Sequence, residues 1–236
     1  MITYKKKQCS SQSSQSGFTI VESLVAIVVV SVLMSAIAPV IVLSVATRVQ
    51  ARRVEVATQA AKAYIDGVRT GVIDAPNYTI TLNEVNSDKT FNSQRSIFAD
   101  ANVPNAGSLP CPTTAGNQYC QNTSTSSLYC IDLDGNGCSI TNFKDIVVQA
   151  FRSVNSSSSE ANKGYLLGVR VYRADAFNDA TSLKKTKQPN GGTLPKQATF
   201  TAGLGDRKAP LVEMTTEMVT DKTTFQDLCD RLGGCS

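Results

Sequence analysis

Between Lys7 and Arg48 the chain carries a single charged residue, Glu22, and from Ser23 to Thr47 it carries none. About 20 apolar residues in a helix, rising 1.5 Å each, cross a hydrocarbon core of roughly 30 Å. This run is therefore long enough to span a membrane with some tilt. A helix apolar on every face for such a length is seldom the core helix of a soluble domain. Ahead of it lies a short polar leader with three consecutive lysines, Lys5, Lys6 and Lys7. Whatever follows must fold as a body tethered to this segment.

A cleaved secretory signal would have an apolar core of about 7–15 residues ending in an A-x-A site. Ala36-Ile37-Ala38 offers that pattern, but Pro39 would follow the cut and the apolar run is too long. A plain signal anchor explains the length and nothing else. Charge does not fix the topology, because Arg48, Arg52 and Arg53 follow the span as the lysines precede it.

A fourth reading explains more residues. The leader, then Gly17-Phe18-Thr19-Ile20-Val21-Glu22-Ser23-Leu24, resembles the processing site of type IV pilins and pseudopilins. The resemblance implies that a prepilin peptidase cuts between Gly17 and Phe18 on the cytoplasmic side and that the Phe18 amine is N-methylated. It also implies that Glu22, at the fifth mature position, pairs with the Phe18 amine of a neighbouring subunit and sets register during assembly. Pro39 matches a proline of many pilin helices. Proline removes one helix hydrogen bond and clashes with the turn before it, so a kink or locally melted segment is expected there. The implied topology puts the N-terminus in the cytoplasm and the body in the periplasm or outside the cell. The implied partners are other (pseudo)pilin subunits, the peptidase and an inner-membrane assembly platform.

From Arg48 to Val68 apolar and charged residues alternate at helical spacing without a proline: Val49, Arg52, Arg53, Val56, Ala60, Ala63, Tyr64 and Val68. The helix is predicted to continue to about Gly67 or Gly71, where glycine can cap it. Four parts follow: a cleaved leader (1–17), a transmembrane half-helix (18–47), an amphipathic half-helix (48–71) and an extracytoplasmic domain (72–236). Strands are predicted at Tyr78–Leu82, Leu128–Ile131, Gly164–Arg173 and Leu211–Val219. Residues 145–152 read as strand or helix, and 83–127 and 178–208 as loops, with Ser156–Ser159 an exposed turn. Thr224-x-x-Asp227 resembles a capping box opening a short helix whose buried stripe is Phe225, Leu228, Cys229 and Leu232. Runs of strands after one long helix predict an α+β fold with an antiparallel sheet. It is the pilin-like architecture of a long N-terminal helix packed on a sheet domain with disulfide-stapled loops.

The cysteines are Cys9, Cys111, Cys120, Cys130, Cys138, Cys229 and Cys235. Removing the leader removes Cys9 and leaves an even number. With no histidine in the chain and no close CxxC pairs, zinc is disfavoured. Disulfides in an oxidising compartment are the better reading. Local pairs are favoured, Cys111–Cys120, Cys130–Cys138 and Cys229–Cys235, though the first two could exchange partners.

One constellation has site chemistry. Asp132-Leu133-Asp134-Gly135-Asn136-Gly137 matches the first half of a D-x-D-x-N-G calcium loop, where alternate oxygens face a hard cation and glycine permits the sharp turn. Position twelve is Phe143 rather than a bidentate glutamate, and Asp145 is the substitute ligand. The competing reading is a plain turn stapled by Cys130 and Cys138. Some pseudopilins carry a structural calcium in C-terminal loops, which favours the first reading without placing the ligands.

Net charge is +4, falling to +1 once the leader's three lysines are set aside, which argues against an electrostatically driven nucleic-acid binder. No G-x-S-x-G, P-loop or dinucleotide turn occurs, so the chain is not read as an enzyme. Ala38 to Glu55 resembles the B-type pseudopilins of cyanobacterial hormogonium polysaccharide secretion, most closely over residues 17 to about 70. That implies a minor pseudopilin supporting polysaccharide export and gliding motility through a type II secretion-like apparatus. The alternatives are a minor type IV pilin of a twitching or DNA-uptake pilus, and a single-pass anchored binding module that never polymerises.

Overall fold

The computed structural model describes residues 17, 19–82, 101–112, 114–154, 161–185 and 206–231. Helix α1 runs from Ile20 to Arg69. Thr19 caps it, its hydroxyl accepting the Glu22 amide at 3.2 Å, and Glu22 places a carboxylate in the first turn, where the helix dipole favours negative charge. The helix passes through Pro39 without interruption, so of the two expected outcomes, a kink or a locally melted segment, the melted segment is not found. A proline deletes a single amide from the ladder, and the surrounding turns remain hydrogen-bonded. The chain divides into two compact units, Met1–Val45 and Ala46–Ser236. In the first, the described apolar side chains from Ile20 to Val45 are exposed, and the segment is long and apolar enough to cross a membrane.

The second unit begins within the helix, so Ala46–Arg69 belongs to the folded body. Ala57, Ala60, Ala61, Tyr64, Ile65 and Val68 form the buried stripe, at the three- and four-residue spacing of one helix face. Of the residues expected on that face, Ala63 and Val49 are exposed. The helix stops at Arg69, and Gly71 follows in the left-handed region at φ 74°, which favours glycine.

The strands are β1 (Thr79–Thr81), β2 (Gln118–Asn122), β3 (Ser127–Ile131), β4 (Ile146–Val154), β5 (Tyr165–Arg173) and β6 (Val212–Met218). They form one sheet in the order β2-β3-β4-β5-β6, with β1 beside β4. Every pairing is antiparallel except β1 with β4, which is parallel. The architecture is α+β as expected, with β2 a strand inside a region read as loop. Its Gln-Tyr-Cys-Gln-Asn sequence is polar and half-buried throughout. An edge strand needs no two-sided apolar pattern, so alternation gave no signal. Residues 145–152, left open between strand and helix, are mostly β4.

Alternation explains how the sheet buries both faces. Val148, Ala150, Leu167, Val169 and Val171 join Tyr129 and Ile131 against the α1 stripe. On the opposite face Leu128, Val147 and Tyr172 pack with Ala174, Phe177 and Leu183. Phe151 and Leu166 there meet Tyr78, Leu82 and Ala101. This double cover accounts for β5 being buried at every position but its last.

A short helix, α2 (Phe225–Arg231), closes the described chain. The capping box forms, with Thr224 accepting from the Asp227 amide at 3.2 Å and Asp227 accepting from the Thr224 amide at 2.8 Å. Cys229 is buried but Phe225 is 75% exposed, which corrects the expected stripe: the body covers Cys229 and not the turn before it. The Leu228 side chain, Leu232 and the 156–159 serine run lie outside the described residues.

Candidate functional site

Two regions carry the residues singled out by sequence. At the N-terminal site Gly17 is exposed, Phe18 lies outside the described residues, and Glu22 is exposed at the start of α1. Thr19 was missed by the sequence reading, although Thr19-x-x-Glu22 is itself a capping-box spelling. The helix thus starts at Ile20, with Thr19 as its cap, two residues after Phe18 in the sequence.

The second region is the loop joining β3 to β4, residues 132–145. Disulfides join Cys111 to Cys120 and Cys130 to Cys138. Their sulfurs, although close, are thus not thiolate ligands. Cys229 is disulfide-bonded, and Cys235 lies outside the described residues. The Cys130–Cys138 bridge fixes the loop at both ends of the Asp132–Gly137 turn.

Within that turn Asp132 accepts four backbone amides: Gly116 at 3.0 Å and Gly137 at 2.8 Å on Oδ2, Gly135 at 2.7 Å and Asp134 at 3.2 Å on Oδ1. These donors, Gly116 first, hold its carboxyl down at about 2. Asp134 accepts the Asn136 amide at 3.3 Å on Oδ1 and the Asn142 side chain at 3.0 Å on Oδ2. Lys144 Nζ stands 3.9 Å from the latter oxygen. Asn136 is exposed.

Asp145 comes from outside the hexapeptide, one residue before β4. It is fully buried. Its Oδ2 accepts the Ser139 amide at 3.2 Å, while its Oδ1 is buried without a hydrogen-bond partner. Burial first, with the Asp134 and Asp132 charges adding to it, pushes this carboxyl above its ordinary value. The structure thus brings Asp132, Asp134 and Asp145 together, with one carboxylate oxygen of each within 4.8 Å of the others.

The same loop walls a cavity of about 450 Å³ against α1. Val49, Val56, Leu133, Phe143, Ile146 and Leu211 supply apolar lining, and Arg52, Arg53, Lys144 and Arg173 supply cations. Burial, then the neighbouring Arg173 charge, pushes the Arg53 guanidinium below its ordinary value. Phe143 is 61% and Leu133 49% exposed, so the cavity is an open groove.

Sequence reasoning also missed a buried polar cluster behind the sheet. Arg170, fully buried in β5, donates through Nε to Glu213 at 3.2 Å and through Nη1 to the Ala101 carbonyl at 2.6 Å. It lies 5.1 Å over the Phe151 ring. Nothing in GVRVYR separates this arginine from the half-buried Arg173, since its partners come from elements far along the chain.

Residues 12–38 match the family described as the prokaryotic N-terminal methylation motif. No curated protein and no solved structure matches the chain. The motif ends inside the apolar part of α1 and supports a type IV pilin-like subunit, structural rather than enzymatic. It fits a single-pass membrane anchor processed by a prepilin peptidase.

Proposed function

We propose that this protein is a minor pseudopilin, stored in the inner membrane and assembled into a short pseudopilus that supports polysaccharide secretion and gliding motility. The observation that carries this reading is the methylation motif over residues 12–38, placed across the start of a helix whose described apolar residues to Val45 are exposed. In this reading the peptidase removes residues 1–17 and Phe18 becomes a methylated N-terminus on the cytoplasmic side. The body from Ala46 onward then lies outside, where its disulfides persist.

Glu22 has a physical role in that scheme. A carboxylate near hydrocarbon is costly unless paired. Cleavage would create a cation at Phe18, one helical turn away, and in a filament the cation of a neighbouring subunit could take its place. Assembly would then be favoured where the two charges meet and disfavoured at other registers. Pro39 stands further along the same apolar run, where its missing amide leaves the helix one hydrogen bond short. The polysaccharide assignment is supported by the resemblance of Ala38–Glu55 to the B-type hormogonium pseudopilins. A minor type IV pilin of a twitching or DNA-uptake pilus fits the same motif. An anchored module that never polymerises would need neither the cut nor Glu22.

Intact-mass and N-terminal analysis of the protein purified from membranes tests the reading. The expected product begins at N-methylated Phe18. A chain still starting at Met1, in cells with an active prepilin peptidase, would leave only the anchored module. The next comparison is Glu22→Ala, expected to be processed normally but to be lost from sheared filament or secretion-complex fractions. Retention of that variant in assemblies would remove the register role.

A further inference from the structure

We propose that the groove between α1 and the β3–β4 loop holds the headgroup of an anionic phospholipid from the leaflet in which the apolar run of α1 ends. The groove's cations converge from three places: Arg52 and Arg53 on α1, Lys144 just before β4, and Arg173 at the end of β5. No residue lining it is acidic. Arg173 pairs with Asp175, and Lys144 stands 3.9 Å from Asp134. The Arg52 and Arg53 side chains have no ion pair or hydrogen bond among the described residues. Arg53 is half-buried, where an unpaired charge is costly. The groove is thus short of negative charge, and a guanidinium fork matches two phosphate oxygens at once.

A bare phosphate would leave the rest of the lining unexplained. Leu133 and Phe143 stand beside those cations and are 49% and 61% exposed. An occupant with an anionic head and an apolar body meets both features, and the membrane supplies such an amphiphile. Thr47 ends the uncharged run, and Arg52 follows it by five residues. That is about 8 Å as helix and at most about 18 Å as extended chain. The headgroup layer on each side of the hydrocarbon is about 5–7 Å thick. Arg52 and Arg53 therefore stay within reach of it at whatever angle the body stands. Side chains on a helix also lean toward its N-terminus, which here is the membrane end. The inference rests on α1 being the anchor of the reading above, and not on cleavage or polymerisation. For a stored subunit it adds a second hold on the membrane, which extraction into a filament must break.

Native mass spectrometry of the full-length protein, released from a non-ionic detergent and titrated with phosphatidylglycerol or phosphatidylcholine, tests it. Saturable retention of one phosphatidylglycerol is expected, at least about tenfold tighter than phosphatidylcholine. A cation near an anionic headgroup contributes about fivefold. Arg52→Gln combined with Arg53→Gln should therefore weaken retention about twenty-fivefold. Arg52→Gln alone, at an exposed position, is expected to cost about fivefold and serves if the double variant does not fold. Phe143→Ser leaves the charge unchanged and is expected to weaken retention severalfold. Arg69→Gln, further along the same helix and outside the groove, should leave retention as it was.

Equal retention of the two lipids overturns the proposal. So does a loss in Arg69→Gln equal to that in Arg52→Gln, which would mean attraction to the chain's charge at large. A dimer in detergent that Phe143→Ser dissociates would also overturn it, by making a second copy the occupant. N-terminal analysis of the same sample separates this inference from the reading it rests on. A chain that begins at Met1 and still retains the lipid upholds the groove and overturns only the processing.

Discussion

Arg170 shows how a single residue can close one side of a fold. Its guanidinium meets Glu213 on β6, the Ala101 carbonyl and the face of Phe151. Beside it Gln149 donates to the Asn102 carbonyl at 2.6 Å. The 101–102 segment is thereby held to the back of the sheet by charged and amide donors rather than by apolar area alone. Removing one partner of a buried pair leaves the other uncompensated, at a cost of about 3–5 kcal/mol. Arg170→Met is therefore expected to destabilise by that amount in urea denaturation. Arg170→Met combined with Glu213→Leu should recover a large part of the loss, because paired apolar replacements of similar volume are often neutral. If the double variant is no better than the single one, the Glu213 pairing is not what the arginine supplies. No local pattern announces this residue: alternation in β5 puts it on a definite face, but only the segment laid over that face buries it.

At the scale of elements, α1 is locked to the sheet by tyrosines as well as by small residues. Tyr119 donates to the Asp74 carbonyl at 2.7 Å, so the 2.7 Å contact between the Tyr64 and Tyr119 hydroxyls has Tyr64 as donor. Tyr129 completes the cluster, its ring 5.2 Å from Tyr64 and 5.1 Å from Tyr119. Burial pushes the Tyr64 and Tyr119 hydroxyls well above the ordinary tyrosine value, and Tyr165, on the same face of the sheet, up to about 12. These groups hold their protons more tightly folded than unfolded. Their contribution is therefore fully present below the unfolded value near 10 and is lost as pH rises toward the folded values. The denaturation midpoint is expected to fall steeply between pH about 10 and about 12. Tyr64→Phe should cost about 1 kcal/mol at neutral pH and flatten that alkaline slope. An unchanged slope in this variant would mean that Tyr64 does not ionise on unfolding there. The periodicity of Ala60, Tyr64 and Val68 makes the packed helix face legible, whereas β2, which brings Tyr119, is polar and unsignalled.

On the scale of the whole molecule, the unit boundary falls between Val45 and Ala46, inside one continuous helix. The helix thus changes environment without changing secondary structure. A chain beginning at Ala46 is expected to be monodisperse without detergent and to unfold in one cooperative transition, since its stripe from Ala57 to Val68 is already covered by the sheet. Aggregation of that fragment in light scattering would show that residues before Ala46 cover part of the body. The sequence by itself determined the apolar anchor, the processing motif, the helix through Val68 and most of the strands. Each depends on covalent order or on a local period, and both are written along the chain. Only the tertiary structure decided that β2 joins an edge, that β1 pairs parallel to β4, that Arg170 is buried and that Asp145 meets Asp132 and Asp134. Those outcomes depend on which distant segment covers which face, and burial of that kind has no period to read.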